Sequence, residues 1–534
     1  MTRPAPPIIW SIAGTDSGGG AGLSADQRAA DAFGVHLCPV VAAVTAQHSR
    51  SVLHIEPMST TLIDAQLKAL SDDMPPRVIK TGVLGGAAQV QLVARWVDRL
   101  REAGPVALVV DPVLAASTGA TFADHATLRA YRDELLPRAT VVTPNRREAQ
   151  RLMGDAAADD AAALPALARR LRATGTQAVC ITGGDSADVD GQVLDWLSSE
   201  HAEGWLGSRR VATPHHHGTG CTFASSVAAA LALGFVPADA AVLAKMAITQ
   251  ALRSGRSAGS GPGPVLAGPG FATDPSLLPM LSWGEQPRFG TVPTPTQRGL
   301  GLYAIVDSAE RVAQVLAAGV RTVQLRIKTP ERPNQAWHAG LAEAIRRSVV
   351  TCGEAGAELF INDHWELARA LGAGGVHLGQ EDLLAMGEAG RLALQGSGLA
   401  LGISSHSVWE LCRARSLAPR YIACGPVWPT LTKAMPWLPQ GLDNLAWWCL
   451  MAQVPVVAIG GILQAERVQD AAACGADGVC LVRALGNDPV STVPAFQRAL
   501  DAGRAGQGCR AALVLPHPTL MWESSSWSPS TQSV

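Results

Sequence analysis

From residue 302 to residue 482 one pattern occurs eight times: a short β-branched or apolar run followed by a stretch of helical length. The runs fall at residues 302–306, 322–327, 359–361, 375–378, 400–403, 421–424, 454–459 and 478–482, and helix-compatible segments such as 309–317, 337–352, 365–371 and 465–473 lie between them. Eight such units in about 200 residues close most simply as a (β/α)8 barrel. A barrel of this kind carries its chemistry where the strands end at their C-termini, so the polar residues just beyond each run are the candidates for function.

The first half has a different rhythm. Runs at 8–12, 37–44, 78–83, 107–110, 140–143 and 178–182 alternate with Ala/Leu-rich amphipathic stretches, which predicts an α/β sandwich with a largely parallel sheet. At 534 residues, 47% apolar and 16% charged, the chain is too long for one core and apolar enough for two. The expected organisation is a domain at 1–267, a Gly/Pro-rich linker at 268–299 within a wider Gly/Pro/Ser/Thr-rich stretch from 255 to 296, a barrel at 300–503, and a disordered tail at 504–534.

Charge and cysteine usage exclude several classes of function. A net charge of −2 from 43 basic and 45 acidic residues, with no long run of either sign, leaves no footprint for nucleic acid or an anionic membrane. Small-molecule chemistry is expected, and a homo-oligomer is compatible with it. The ten cysteines form no C-x-x-C pair, and residues 1–7 have neither the basic region nor the apolar core of a signal peptide, so a reducing cytoplasm is expected. The longest apolar stretch, 227–236, is well short of the roughly 20 residues that span a membrane.

Two glycine-rich turns stand out in the first half. One, from Gly14 to Gly22, follows the first run and leads into a helical pattern carrying Asp26. The other, Gly218-Thr219-Gly220, opens a long Ala/Ser/Leu helix whose free N–H groups would receive a transferring phosphoryl group. Cys221 lies in the first turn of that helix, where the dipole lowers a thiol pKa and suits it to accept a proton; the plainer alternative is an inert buried cysteine. His215, His216 and His217 are consecutive, cannot readily converge on one ion, and read as a solvated turn.

In the second half Gln324, Arg326 and Lys328 follow an i, i+2, i+4 spacing that puts them on one strand face, with two cations suited to a polyphosphate. Asn362 and Asp363 end the third run and Asp382 follows the fourth, giving two carboxylates for Mg2+. Thr430, Thr432 and Lys433 share one loop. Gly460 and Gly461 follow the seventh run, and Val482 and Arg483 end the eighth; together these form a phosphate cup.

The ordered motifs GTDSGGGAGLSAD, VTAQH, VIKTGVLG, VVDPVL, TPNRREAQRL and HHGTGCT resemble the hydroxymethylpyrimidine and hydroxymethylpyrimidine-phosphate kinases of the ribokinase superfamily, over residues 8–267. QLRIK, INDHWELA, GVHLGQED, LGISSHS, CGPVWPTLTK and AIGGI resemble thiamine-phosphate synthases, over residues 301–502. The first resemblance implies a ribokinase-like sandwich that uses ATP as co-substrate. In it Gly14, Asp26 and Gln47 would bind the aminopyrimidine, Asn145 and Glu148 would position Mg2+ and the ATP phosphates, Gly218, Thr219 and Gly220 would hold the phosphoryl group, and Cys221 would be the base. The second implies a barrel in which Gln324, Arg326, Lys328, Asn362, Ser404 and Lys433 bind the pyrimidine diphosphate. Asp363 and Asp382 would hold its Mg2+, and Thr430, Thr432, Gly460, Gly461 and the Val482–Arg483 strand end would receive the thiazole phosphate.

Two departures from these patterns carry weight. Thr182 stands where the kinases have lysine, which opens a second reading in which the first half binds pyrimidine without phosphorylating it; Arg209, Arg210 and Lys245 are the cations that could substitute. Arg483 stands where the synthases usually have serine.

Overall fold

The structure is a computed structural model and describes residues 5–115, 123–155, 161–184, 191–291, 299–430, 436–506 and 515–520. The chain divides into two units, the first ending at Pro287 and the second running from Arg288 to Thr519.

The first unit is built on a ten-stranded sheet, β1 (Ile8–Gly14), β2 (His36–His48), β3 (Ser51–Pro57), β4 (Val78–Thr81), β5 (Ala107–Val110), β6 (Val141–Val142), β7 (Ala178–Ile181), β8 (Gln192–Ser198), β9 (Glu203–Arg209) and β10 (Met280–Leu281), in the order β10-β9-β8-β7-β6-β5-β4-β1-β2-β3. Its centre, from β7 to β2, is parallel, whereas β3 pairs antiparallel with β2, and β8, β9 and β10 continue antiparallel beyond β7. The six runs expected from sequence are the parallel strands. The four antiparallel strands at the flanks were not anticipated.

Helices cover the sheet. Among them α1 (Gly22–Phe33) and α2 (Thr219–Ala232) pack on each other, and α2 also packs on β4 and β5. The Ala and Ser side chains of α2, buried from Thr222 to Ala232, permit this close approach.

The linker expected at 268–299 is a correction. Phe271, Leu277, Leu278 and Leu281 are buried, and Met280–Leu281 pairs with Gly207 and Leu206 as the tenth strand. Removing these side chains from water outweighs the loop character that the surrounding Pro and Gly suggest.

The second unit is a closed parallel barrel of β11 (Gly301–Val306), β12 (Thr322–Leu325), β13 (Glu358–Asn362), β14 (Gly375–Leu378), β15 (Ala400–Ser405), β16 (Tyr421–Cys424), β17 (Val456–Ala458) and β18 (Gly478–Leu481). Its interior gathers Tyr303, Phe360, Tyr421, Ala423, Val457 and Cys480. The ring of Tyr421 stands edge-on to those of Tyr303 and Phe360, at 5.5 and 5.1 Å between centroids. Glycine is required opposite, because a β-carbon at Gly402 would lie 2.3 Å from the Tyr421 ring.

The tail expected at 504–534 is corrected in part. The helix Pro489–Ala505 includes its first residues, and 515–520 lies against the barrel. The Leu438 N–H donates to Thr519 O at 2.8 Å, and Asn444 exchanges two hydrogen bonds with the backbone of His517, at 2.9 and 3.0 Å. Asn444 belongs to α3 (Gly441–Met451). Among the described residues no helix is long and apolar enough to cross a membrane.

Candidate active sites

In the first unit both glycine turns meet. Gly22 has φ +55°, and a β-carbon there would fall 2.2 Å from Gly14 O; Gly218 has φ +85°, and a β-carbon there would fall 2.2 Å from Gly20 O. Glycine is therefore demanded at both places by backbone contact as well as by conformation.

Asp16, which the sequence reading passed over, organises the first turn. Its carboxylate accepts N–H bonds from Gly18, Gly20 and Ala21 at 2.8–2.9 Å, and Nε2 of His217 lies 2.9 Å from Oδ2. Burial pushes the Asp16 carboxyl up, but the His217 contact and the Ala21 and Gly18 N–H groups outweigh it and hold the group below the usual range. Gln47 Nε2 lies 3.2 Å from the same imidazole nitrogen. The solvated-turn reading of the three histidines is thus corrected: His217 is half-buried between Asp16 and Gln47, His215 Nδ1 accepts from Gly263 N–H, and only His216 is exposed.

Asp26 is also a correction. It is fully buried, and its carboxylate accepts from Ser11 Oγ at 2.6 Å, Ser225 Oγ at 2.8 Å and Lys80 Nζ at 2.9 and 3.1 Å. With its oxygens engaged by the protein, it serves the frame of the site and not a ligand. Lys80, equally buried, sits in the VIKTG motif to which sequence reading gave no role; its Nζ is also 3.8 Å from Asp111 Oδ2.

Cys221, partly exposed one turn before Ser225 on α2, accepts a hydrogen bond from Gly22 N–H. The dipole argument fails for its ionisation. Burial, with the Asp26 and Asp111 charges, pushes the thiol up to about 12, against the opposing pull of Lys80 and the Gly22 N–H. Asp111 is itself raised to about 6 by burial, which the Lys80 charge offsets only in part.

Asn145 and Glu148 form a capping box at the start of the helix Arg146–Met153. The Asn145 side chain accepts from Glu148 N–H, and the Glu148 carboxylate accepts from Asn145 N–H, both at 2.9 Å. Next to Asn145 lies Thr182, joined to it by a parallel bridge. The turn after Thr182 is held from behind: Gly183 N–H donates to Asp195 Oδ1 at 2.9 Å, and Asp195 Oδ2 pairs with Lys245 Nζ at 2.7 Å. Lys245 is therefore engaged in a buried ion pair and does not replace the absent lysine. Arg210 reaches Gly184 O at 3.4 Å, and Arg209 is exposed at the end of β9.

In the barrel, register brings side chains from neighbouring strands together. Gln324 Nε2 donates to Asn362 Oδ1 at 3.0 Å, both buried. Asn362 lies opposite His377, whose Nε2 is 2.8 Å from Ser404 Oγ and whose Nδ1 is 2.7 Å from the Tyr421 hydroxyl, itself 2.6 Å from that of Tyr303. Sequence reading quoted His377 within a motif but assigned it nothing. Burial, helped by the Arg326 charge, lowers its pKa to about 4, so the ring is neutral at physiological pH.

β12 ends at Leu325, so the three-residue strand face is corrected. Gln324 is in the strand, Arg326 still donates its N–H to Val306 O, and Lys328 lies exposed in the loop beyond.

Asp363 and Asp382 both stand at strand ends on exposed ground. Asp363 has φ +64°, an uncommon backbone state for a residue other than glycine, though one that aspartate tolerates. Asp382 follows β14 and accepts from Gly379 N–H at 2.9 Å. Two carboxylates are a hard oxygen set that fits Mg2+, whose remaining positions water and phosphate oxygens fill. Among the described residues no group of three or more His, Cys, Asp or Glu side chains is placed to hold a metal, so any such ion depends on the substrate to complete its shell.

Thr430 is half-buried, while Thr432 and Lys433 lie outside the described residues. Gly460 (φ +96°) and Gly461 (φ +71°) pack under Pro426 and Trp428, and Arg467, unforeseen from sequence, donates to Gly461 O with its guanidinium 5.3 Å over the Trp428 ring. Val482 and Arg483 are exposed at the end of β18, Arg483 starting a short 3-10 turn.

A sandwich whose glycine turns frame the start of a helix, joined to a barrel with polar side chains converging at its strand ends, defines a chain of two small-molecule enzymes. Residues 16–266 match the phosphomethylpyrimidine kinase family, and residues 302–485 match the thiamine monophosphate synthase family. A chloroplastic thiamine biosynthetic bifunctional enzyme of Oryza sativa subsp. japonica is 36% identical over 499 residues, covering 90% of this chain and 86% of the relative. A hydroxymethylpyrimidine/phosphomethylpyrimidine kinase of Synechococcus elongatus is 42% identical over 48% of this chain and 96% of its own, and a thiamine-phosphate synthase of Rhizobium etli is 45% identical over 35% of this chain and 87% of its own. The chain belongs to the family of bifunctional thiamine biosynthetic enzymes, with a kinase unit followed by a synthase barrel.

Proposed function

We propose that the first unit uses ATP to phosphorylate 4-amino-5-hydroxymethyl-2-methylpyrimidine and then its monophosphate, and that the barrel joins the resulting diphosphate to 4-methyl-5-(2-phosphooxyethyl)thiazole, giving thiamine phosphate and diphosphate. The observation that carries this reading is the succession of both family matches along one chain, the first naming the maker and the second the consumer of one intermediate.

In the kinase unit, Gly14 and Gln47 border the pyrimidine site. The backbone N–H groups at Gly218, Thr219 and Gly220 lie where charge develops on the transferring phosphoryl group. Cys221 takes the hydroxymethyl proton as oxygen bonds to the γ-phosphorus and the bond to ADP breaks. Asn145 and Glu148 border the ATP phosphates, and Asp195 with Lys245 fixes the Gly183 turn beside them.

In the barrel, Gln324, Asn362 and Ser404 hydrogen-bond the pyrimidine, with neutral His377 orienting the Ser404 hydroxyl. Arg326, Lys328 and Lys433 stabilise charge on the departing diphosphate as its bond to the methylene carbon breaks and the thiazole nitrogen bonds to that carbon. Asp363 and Asp382 would hold Mg2+, which when bound adds positive charge beside the leaving group. Thr430, Thr432, Gly460, Gly461 and the Val482–Arg483 strand end receive the thiazole phosphate. The cysteines support a cytoplasmic setting, since all nine described are free thiols; the plant relatives carry the designation chloroplastic.

The test is a coupled assay with hydroxymethylpyrimidine, ATP, Mg2+ and thiazole phosphate. The expected result is that wild type forms thiamine phosphate, Cys221→Ala does so only with supplied pyrimidine diphosphate, and Asp363→Ala stalls even then. Product from wild type only with supplied diphosphate would limit activity to the barrel.

A further inference from the structure

The buried group Lys80–Asp26–Asp111 is left without a task by the phosphoryl transfer as written. It joins four elements of the first unit. Lys80 comes from β4, Asp26 from α1 and Asp111 from the end of β5, while Ser225 of α2 donates to Asp26 at 2.8 Å. Ser225 and Cys221 are four residues apart on α2 and so share a face, which sets Cys221 one helical turn from the ion pair.

An ammonium has three N–H donors. Lys80 directs hydrogen bonds at both Asp26 oxygens, while Asp111 Oδ2, at 3.8 Å, is beyond hydrogen-bond range and has no partner among the described residues. The cluster thus sets one buried cation against two buried carboxyl groups in a medium where charges act strongly over a few ångströms. Cys221 interacts electrostatically with all three. The other titratable groups around them are Tyr131, whose hydroxyl donates to Gly82 O and which senses Asp111, and Arg28 of α1, which senses Asp26.

We infer that Lys80 is a positioning residue for the kinase reaction: it is the counter-charge that makes the Cys221 thiolate attainable, and Asp111 is the opposing charge that limits it. The inference rests on Cys221 being the base of the proposed reaction. It explains why a lysine and two aspartates are kept in a dry site that no substrate has to reach.

The two charges have opposite expected effects, and alkylation reads both. In the full-length chain, iodoacetamide modification of Cys221, followed by peptide mass spectrometry across pH 8–10, measures thiolate directly. Lys80→Met is expected to slow it about tenfold or more, the loss of one pKa unit of thiolate stabilisation. Lys80→Met with Asp26→Asn slows it less, in the same direction and without leaving an unpaired buried carboxylate. Asp111→Asn speeds it.

Kinase kcat falls in both Lys80 variants with little change in the pyrimidine KM, and synthase activity on supplied diphosphate reports that the chain remains folded. An alkylation rate unchanged by removal of Lys80, or slowed by Asp111→Asn, overturns the inference; should the Lys80 variants not fold, Asp111→Asn decides it alone. Kinase activity surviving Cys221→Ala would remove the base role of Cys221 separately, because the alkylation rates do not depend on turnover.

Discussion

Gly218 and Gly20 meet backbone to backbone, so closely that a β-carbon on Gly218 would stand 2.2 Å from the Gly20 carbonyl oxygen. The turn that opens α2 is thereby fixed to the turn that follows β1, and a shift of either moves both.

Gly218→Ala adds the cost of a left-handed alanine, about 1 kcal/mol, to a collision that only separation of the turns relieves. Kinase kcat should fall on the order of 100-fold, as for misplacement of reacting groups by about 1 Å. Synthase activity on supplied pyrimidine diphosphate should be retained, and steady-state assays of the two reactions on one preparation check both.

Lys245→Met leaves Asp195 buried without its cation. Removing one member of such a pair destabilises by about 3–5 kcal/mol. The Gly183 turn should loosen with it, raising the KM for ATP more than that for the pyrimidine. Adding Asp195→Asn removes the stranded charge while keeping an oxygen for Gly183 N–H, so thermal melting should show the double variant regaining most of the lost stability.

His377 titrates near 4 in the folded barrel and near 6.5 when unfolded. Between those limits the unfolded chain binds more protons, so stability rises with pH across the window and is lost as pH falls through it, by about 3 kcal/mol in full. Urea unfolding of the barrel at pH 7 and pH 4.5 should show the loss, and His377→Gln should reduce it. The same variant should weaken the hold on Ser404 and raise the KM for the pyrimidine diphosphate.

Asn444→Leu keeps the bulk of a buried side chain but deprives the His517 backbone of both partners. Leaving such groups unsatisfied costs about 1–3 kcal/mol each. Hydrogen exchange should show the His517 and Leu438 amides losing protection, with the barrel strands unchanged.

The parallel strands were legible because each is a short apolar run set between helical stretches, and the observed ends of the eight barrel strands depart from expectation by two residues or fewer. The antiparallel flanks were not. Gln192–Ser198 and Glu203–Arg209 mix Gly, Asp and Arg with their apolar residues, and Ser51–Pro57 is half exposed at an edge.

Among the site residues, those at turns and strand ends were visible, since Gly, Asp and Thr there have few structural reasons to recur in such motifs. Asp26 was misread because the partner that occupies it lies 54 residues away, at Lys80. His377 and Arg467 were missed for a similar reason: their partners are set by strand register and loop packing, which composition does not encode.

Cys424 to Gly441 connects β16 to α3, and part of what holds its far end is His517, 73 residues beyond Asn444. The eight barrel strands can pair once Leu481 has been synthesised, but this fastening cannot form until His517 has been added. At roughly 5–20 residues per second the wait after Asn444 is on the order of 4–15 s. A nascent chain therefore passes through an interval in which the barrel can close while one of its functional loops still lacks this support, and folding of the barrel and maturation of its catalytic face become separate events in time.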